Sequence, residues 1–262
     1  MNKILAIFER ELKSYFVSPI AYVVIALFVA LSGIFFYLML LSFVQRCFEV
    51  DMYAQQWQQM TPPMNVHEWV TRPFFGNISL FALMILPLIT MKLFAEEKKT
   101  GTIELLQTSP VTNVQLIIGK YAAALALYLL TIAITFIYML FLFAYGTPEI
   151  GQILSGYLGL VLLGASYLAI GTLFSTLTDN QIIAAVATIT TILIFWTLGW
   201  LSSLLNPALG KLLSNFSLIE HFDDFAKGVI DSKNIIFYVS FIVMNLFLSF
   251  VSIESARWRG SR

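Results

Sequence analysis

Few side chains in this sequence could do chemistry. His221 stands beside Asp223 and Asp224 in the run LIEHFDDFA. One imidazole with two carboxylates in a polar loop is a thin metal signal. The plainer reading is a solvated acidic loop that carries its charge outside. His67-Glu68 lacks the second histidine of a zinc-protease helix. Gly119-Lys120 is followed by Tyr121, and Val114 stands where a phosphate-cradling loop needs glycine, so that cradle cannot form. The single Cys47 excludes an internal disulfide and a thiolate cluster, and reads as a packing thiol. No metal or cofactor is expected on this chain. What remains is the stretch 95–110, AEEKKTGTIELLQTSP, with five charges in sixteen residues.

The surroundings of that stretch are apolar. The chain has 262 residues, 59% of them hydrophobic and 11% charged, with a mean hydropathy of +0.83. Soluble domains carry about 25% charged residues, so the composition is that of a polytopic membrane protein. Fifteen basic and fifteen acidic residues cancel, and nothing points to nucleic acid. A spanning helix needs about 20 mostly apolar residues. Six stretches free of Asp, Glu, Lys and Arg meet that need: 14–45, 73–91, 121–148, 150–178, 180–210 and 234–253. The expected fold is all-α: a single transmembrane domain over 1–262, with an amphipathic N-terminal elbow helix over 1–18 and six transmembrane helices. The spans are expected near 19–44, 73–94, 115–145, 151–177, 181–204 and 234–254.

Lys and Arg set the orientation. Lys3, Arg10, Lys13, Lys92, Lys98, Lys99, Lys120, Arg257, Arg259 and Arg262 fall on one side; Arg46, Arg72, Lys211, Lys227 and Lys233 on the other. The bias puts both termini and the 95–113 loop in the cytoplasm, with extracytoplasmic loops over 45–72 and 205–233. Trp57 and Trp69 in the first suit an interfacial belt. The second, broken at Asn206-Pro207, is either a pair of short helices dipping into the outer leaflet or an ordinary packed loop. Because charge is absent from the span interiors, an ion-coupled mechanism lacks its usual parts, and energy for uphill movement would enter from outside the spans.

The opening MNKILAIFERELKSYF is no cleaved signal peptide: its charges continue through Lys13 and the apolar run that follows is too long. An uncleaved anchor is expected. Ile4, Leu5, Phe8, Leu12, Tyr15 and Phe16 share an arc of about 120° on a helix, while Lys3, Glu9, Arg10, Glu11 and Lys13 fall outside it. That pattern fits a helix lying in the membrane plane, with Ser18-Pro19 as the elbow. A straight extension of the first span is the other reading.

In the charged stretch, Glu96, Glu97, Lys98 and Lys99 mark the membrane exit. Gly101 suits a sharp turn. Thr102 to Gln107 reads as a short helix exposing Ile103, Leu105 and Leu106. Ser109-Pro110 ends it, and Thr112 with Gln115 has capping-box spacing. Such a helix either fills a groove in a partner or packs back on its own bundle.

These residues resemble a family. E-E, then T-G-T-x-E-L-L-x-T-S-P, then G-K, between the second and third of six spans, is similar to the ABC-2 type permease, the membrane subunit of ATP-binding-cassette exporters. The opening ERELKSYFVSPIAYV and the segment RPFFGNISLFALMILPLITMKLFAEEKKTGTIELL look most like the gliding-motility-associated permease subunit. The resemblance implies docking of the elbow and of the loop after span two on a separate cytoplasmic ATPase. It assigns ATPase coupling to Glu96, Glu97, Gly101, Thr102, Glu104, Leu105, Leu106, Thr108 and Pro110, and elbow contacts to Phe8, Glu9, Arg10 and Leu12. Gly119 and Lys120 would end the segment at the base of span three. It implies ATP and Mg on the partner ATPase, a second permease copy or related permease, an auxiliary protein with an extracytoplasmic domain, and residence among the lipids of a bacterial inner membrane. Pro87 is a candidate hinge above the loop. Gly156, Gly159, Gly164 and Gly171 in span four favour close packing over a pore lining. Thr188, Thr190, Thr191 and Asn77 could face a cavity or bond to backbone. A scaffold that binds an ATPase without transport, and a membrane-embedded enzyme, are the competing functions.

Overall fold

The computed structural model describes residues 3–57, 64–102, 111–146 and 148–259, with no side-chain account of 20, 54–57 or 256–259. Every regular element among them is a helix. In chain order these are α1 (Lys3–Val17), α2 (Pro19–Trp57), a π-helical turn (His67–Thr71), α3 (Arg72–Thr90), α4 (Ala95–Lys99), α5 (Asn113–Tyr145), α6 (Ile150–Leu177), α7 (Gln181–Leu204), α8 (Pro207–Ser214), α9 (Leu218–Ala226) and α10 (Ser232–Arg259). Six are long and apolar enough to cross a membrane: α2, the unit from the π turn through α4, α5, α6, α7 and α10.

Local chemistry explains the boundaries. Ser18 is a bend between α1 and Pro19, so the opening segment is a separate helix and no extension of the first span. Thr112 and Gln115 form a reciprocal capping box at the start of α5. Asn180 caps α7 by accepting from the N–H groups of Ile182 and Ile183. Pro207 opens α8 as a first-turn residue after Asn206. The expected loop over 45–72 is corrected at both ends. α2 continues to Trp57 and helical structure resumes at His67. The run QRCFEVDMYAQQW holds no Gly or Pro, so polarity there marks a change of surroundings and leaves the helix intact.

α6 is the axis of the bundle. It packs against α3, α5, α7, α9 and α10, and Leu160, Leu163, Leu168 and Ala169 are wholly buried. Its glycines make this approach possible. A Cβ on Gly156 would lie 2.1 Å from the Phe75 ring, on Gly164 2.0 Å from Tyr128, and on Gly171 2.0 Å from Thr90. Tyr128 and Tyr121 then donate to the Leu160 and Ala165 carbonyls, both at 2.9 Å. Asn77 and Thr188 donate to the carbonyls of Pro73 and Ala184 one turn back, the backbone alternative of the two open for them. α2, α7 and α10 bury much less of themselves, 22% of their most apolar windows against 72% for α6, and turn broad apolar faces outward.

The loop over 205–233 folds as α8 and α9. α9 lies on α6, with Phe225 Cβ 2.5 Å from where a Gly159 Cβ would stand, and Tyr238 of α10 donates to the Leu218 carbonyl at 2.7 Å. The solvated acidic loop expected around His221 is corrected for the histidine, while Asp223 keeps its side chain 41% exposed. His221 is buried, its Nδ1 is 2.6 Å from Asn234 Oδ1 and its Nε2 3.2 Å from the Asn215 carbonyl. The ring stacks on Phe237 at 3.9 Å. Asp223 pairs with Arg72 and Lys227, and Asp224 accepts from Asn234. These groups tie α9 to α3 and α10.

Candidate functional site

The charged stretch begins where α3 ends. Pro87 is buried inside α3, and Met91 N–H still reaches the Pro87 carbonyl at 2.9 Å. The chain then turns through 91–94 into α4. Ser175 of α6 holds that turn: its Oγ accepts from the N–H groups of Phe94 (2.9 Å) and Ala95 (3.1 Å) and donates to the Met91 carbonyl. Lys98 donates to the Thr176 carbonyl, which also accepts from Ser252 of α10 at 3.1 Å. Thus α4 is anchored to the ends of two spans before the loop leaves the bundle.

Lys120 lies at the centre of the site. Lys120 is built into the first turns of α5 with its side chain only 2% exposed, which corrects the expectation that the span interiors are free of charge. Desolvating an ammonium is costly unless it is paired and hydrogen-bonded, and here both conditions hold. Nζ donates to Glu97 Oε1 at 2.9 Å, Glu11 Oε1 at 3.0 Å and the Leu93 carbonyl at 2.7 Å. Arg10 Nη2 donates to the same two oxygens, at 2.6 Å to Glu11 and 3.3 Å to Glu97. Two cations and two carboxylates therefore join α1, α4 and α5 in one cluster. Glu97 Oε2 is buried without a hydrogen-bond partner.

The elbow approaches close enough for this because residue 119 is glycine. A Cβ there would stand 2.8 Å from Ile7 Cγ2 and 3.3 Å from the Ile4 carbonyl. Ile7 is the buried residue of α1, whereas Phe8 and Leu12 are half-buried and Glu9 and Arg10 exposed. Two faces of α1 are thus in use. Ile4, Ile7 and Glu11 face the bundle; the apolar arc beside them is only partly covered.

The cluster contains two of the expected site residues, Arg10 and Glu97. Glu96 is on the exposed side of α4. Gly101 has φ +71°, the left-handed turn that favours glycine, and Thr102 bonds back to the Glu97 carbonyl and the Thr100 hydroxyl. Glu104, Leu105, Leu106, Thr108 and Pro110 lie outside the described residues. Glu11 and Lys120 are the members that sequence reasoning underrated. Their opposite charges, next to an apolar arc and a span start, were the available signal.

Comparison with known proteins decides the family. The model for ABC-2 family transporter proteins matches residues 5–256. The chain belongs to the ABC-2 transporter family. Among curated proteins, this ABC-2 chain is similar to the probable multidrug ABC transporter permease YbhR of Escherichia coli K12, 27% identical over 194 residues. The same holds for YbhR of Escherichia coli O157:H7. The match covers 69% of this chain and 52% of YbhR, so the chain spans about half the length of the curated relatives it matches. The gliding-motility subtype draws no support from these relatives.

Glu11 makes the cluster sensitive to acid. Burial alone would raise its pKa, but the Lys120 ammonium and the Arg10 guanidinium outweigh burial and hold it below its ordinary value. A lowered folded-state pKa contributes stability at pH above the unfolded value of about 4.3, and that contribution is lost as pH falls through the folded value. Unfolding of the detergent-solubilised protein, followed from pH 7 to pH 3, should show this loss. Glu11→Gln should be less stable at pH 7 and have a shallower acid limb. Identical acid limbs would mean that Glu11 does not titrate with the fold.

Proposed function

We propose that this chain is the membrane-spanning permease subunit of an ABC-2 exporter, using ATP hydrolysed by a separate cytoplasmic ATPase for transport or for work on the envelope. The observation that carries this is the ion cluster of Arg10, Glu11, Glu97 and Lys120. It joins the elbow, the loop after span two and the start of span three, the elements on which such an ATPase would push. Family membership supports an ATP-binding partner. In this reading the chain binds no cofactor, is not itself an enzyme, and leaves ATP and Mg to its partner. Glu96, Glu97, Gly101, Thr102 and the residues through Pro110 form the docking handle; Pro87, the expected hinge, is buried in α3 between Phe75 and Thr90, both seated on α6 glycines, and bends only with the α3–α6 block.

The excess of Lys and Arg at the elbow end supports cytoplasmic termini in a bacterial inner membrane. The outward apolar faces of α2, α7 and α10 suit lipid and a second permease, identical or related. The name of YbhR makes a multidrug cargo the first to try. The gliding-motility subtype, with its auxiliary extracytoplasmic protein, rests on the wording of the opening and of span two alone.

The test is co-purification with a cognate ATPase, then ATPase turnover for wild type and Leu105→Asp/Leu106→Asp. A stable complex that the double substitution breaks supports docking through this loop. A wild-type chain that never retains an ATPase, with the variant behaving identically, sinks the reading and brings the scaffold forward.

A further inference from the structure

A cavity of about 650 Å³ lies beside the ion cluster, bounded by α1, the start of α2, the end of α3, α4 and α5. That volume falls within the roughly 300–1,000 Å³ usual for small-molecule sites. Its two halves differ. Ala21, Val24, Leu88, Ile89 and Leu127 come from helices long and apolar enough to cross a membrane. The other half is polar, supplied by α1, α4, the turn between α3 and α4, and Lys120 of α5.

The charges of the polar half are balanced. Arg10, Lys92 and Lys120 face Glu11, Glu96 and Glu97. Four of these six are joined in the cluster. That leaves Lys92 and Glu96, one of each sign, with no ion pair of their own among the described residues. A simple anion would satisfy Lys92 but meet three carboxylates. A zwitterion satisfies both signs.

We propose that this cavity binds one phospholipid with a primary-amine head group, its phosphate on Lys92, its ammonium on Glu96, and an acyl chain along Leu88, Ile89 and Val24. A primary ammonium brings three N–H donors. A quaternary choline brings none and leaves Glu96 unserved. The lipid would fill the angle between the elbow and the first two spans, fixing how far α1 stands from α3. This assignment needs residence in a membrane and does not depend on ATPase docking.

The test is native mass spectrometry of the delipidated full chain with equimolar phosphatidylethanolamine, phosphatidylcholine and phosphatidylglycerol of one acyl composition. Phosphatidylethanolamine adducts should exceed those of the other two by about tenfold, the worth of one charge-assisted hydrogen bond. Glu96→Gln, which removes the ammonium's partner, and Leu88→Trp, which fills the apolar half, should each abolish the preference. Equal adducts for all three lipids, or a dominant phosphatidylglycerol adduct, would overturn the proposal. So would a phosphatidylethanolamine preference that survives both substitutions, since the lipid would then sit elsewhere.

Discussion

Lys120→Met is expected to destabilise the protein by about 3–5 kcal/mol, the usual cost of removing one partner from a buried ion pair. The substitution leaves Glu11 and Glu97 facing each other, with side chains 15% and 17% exposed and only the half-exposed Arg10 between them. It also strips the Leu93 carbonyl of its donor. Most of the loss should be regained in Lys120→Met/Glu11→Gln/Glu97→Gln, because neutral amides no longer repel and a matched apolar or neutral replacement of a buried pair is often close to neutral in stability. Chemical unfolding of the three proteins in detergent measures this. If the single variant unfolds with the wild type, Lys120 does not hold the elbow. The triple variant has a second use. With stability restored but the ionic link gone, the ATPase measurement that tests the proposed function separates a role of the cluster in folding from the proposed role in transmission.

The second large effect is expected in α6. Gly164→Ala places a methyl group 2.0 Å from Tyr128 Cε1, and Tyr128 cannot swing aside without giving up its hydrogen bond to Leu160. Overpacking of this kind costs about 1–3 kcal/mol and occasionally more, and the fully buried, hydrogen-bonded Tyr128 ring argues for the upper end. The same substitution at Gly76 or Gly151 meets nothing within 4 Å. There it should stabilise by up to about 1 kcal/mol through helix propensity. Thermal unfolding of the three variants side by side is an internally controlled test. Equal shifts at all three sites would mean that the helices are not packed this closely.

These two sites also show what a single sequence can and cannot disclose. Six spans are legible because hydropathy sums over neighbours in the chain, and a run such as 150–178 announces itself without reference to anything else. Gly101 and the Thr112–Gln115 cap are legible for the same reason: turn and cap chemistry is local. The central role of Lys120 is not. Its partners are 109 residues away at Glu11 and 23 away at Glu97, and by hydropathy alone a lysine at the edge of a span is an ordinary membrane exit. His221 misled in the opposite direction. Three charged or titratable residues in a short loop read as solvated, yet Asn234, thirteen residues on, holds the His221 ring in a buried position, while Asp223, paired with Arg72 151 residues away, keeps its side chain 41% exposed. The end of α2 was missed because charge was read as the end of the helix, when only glycine, proline or a cap would end it.

The glycine niches of α6 have a mechanical consequence. Gly156 and Gly171 receive Phe75 and Thr90 of α3, Gly159 receives Phe225 of α9, and Gly164 receives Tyr128 of α5. A slide of one residue along α6 would drive a neighbouring side chain into each of these contacts at once. The four helices are therefore keyed like wards in a lock, and shear between them is blocked. Any large displacement of this protein must carry them as one stator-like block. α10 travels with the block, since Tyr238 and Asn234 hold it to α9, and relative movement is left to α2 and α7, which bury only 22% of their most apolar windows.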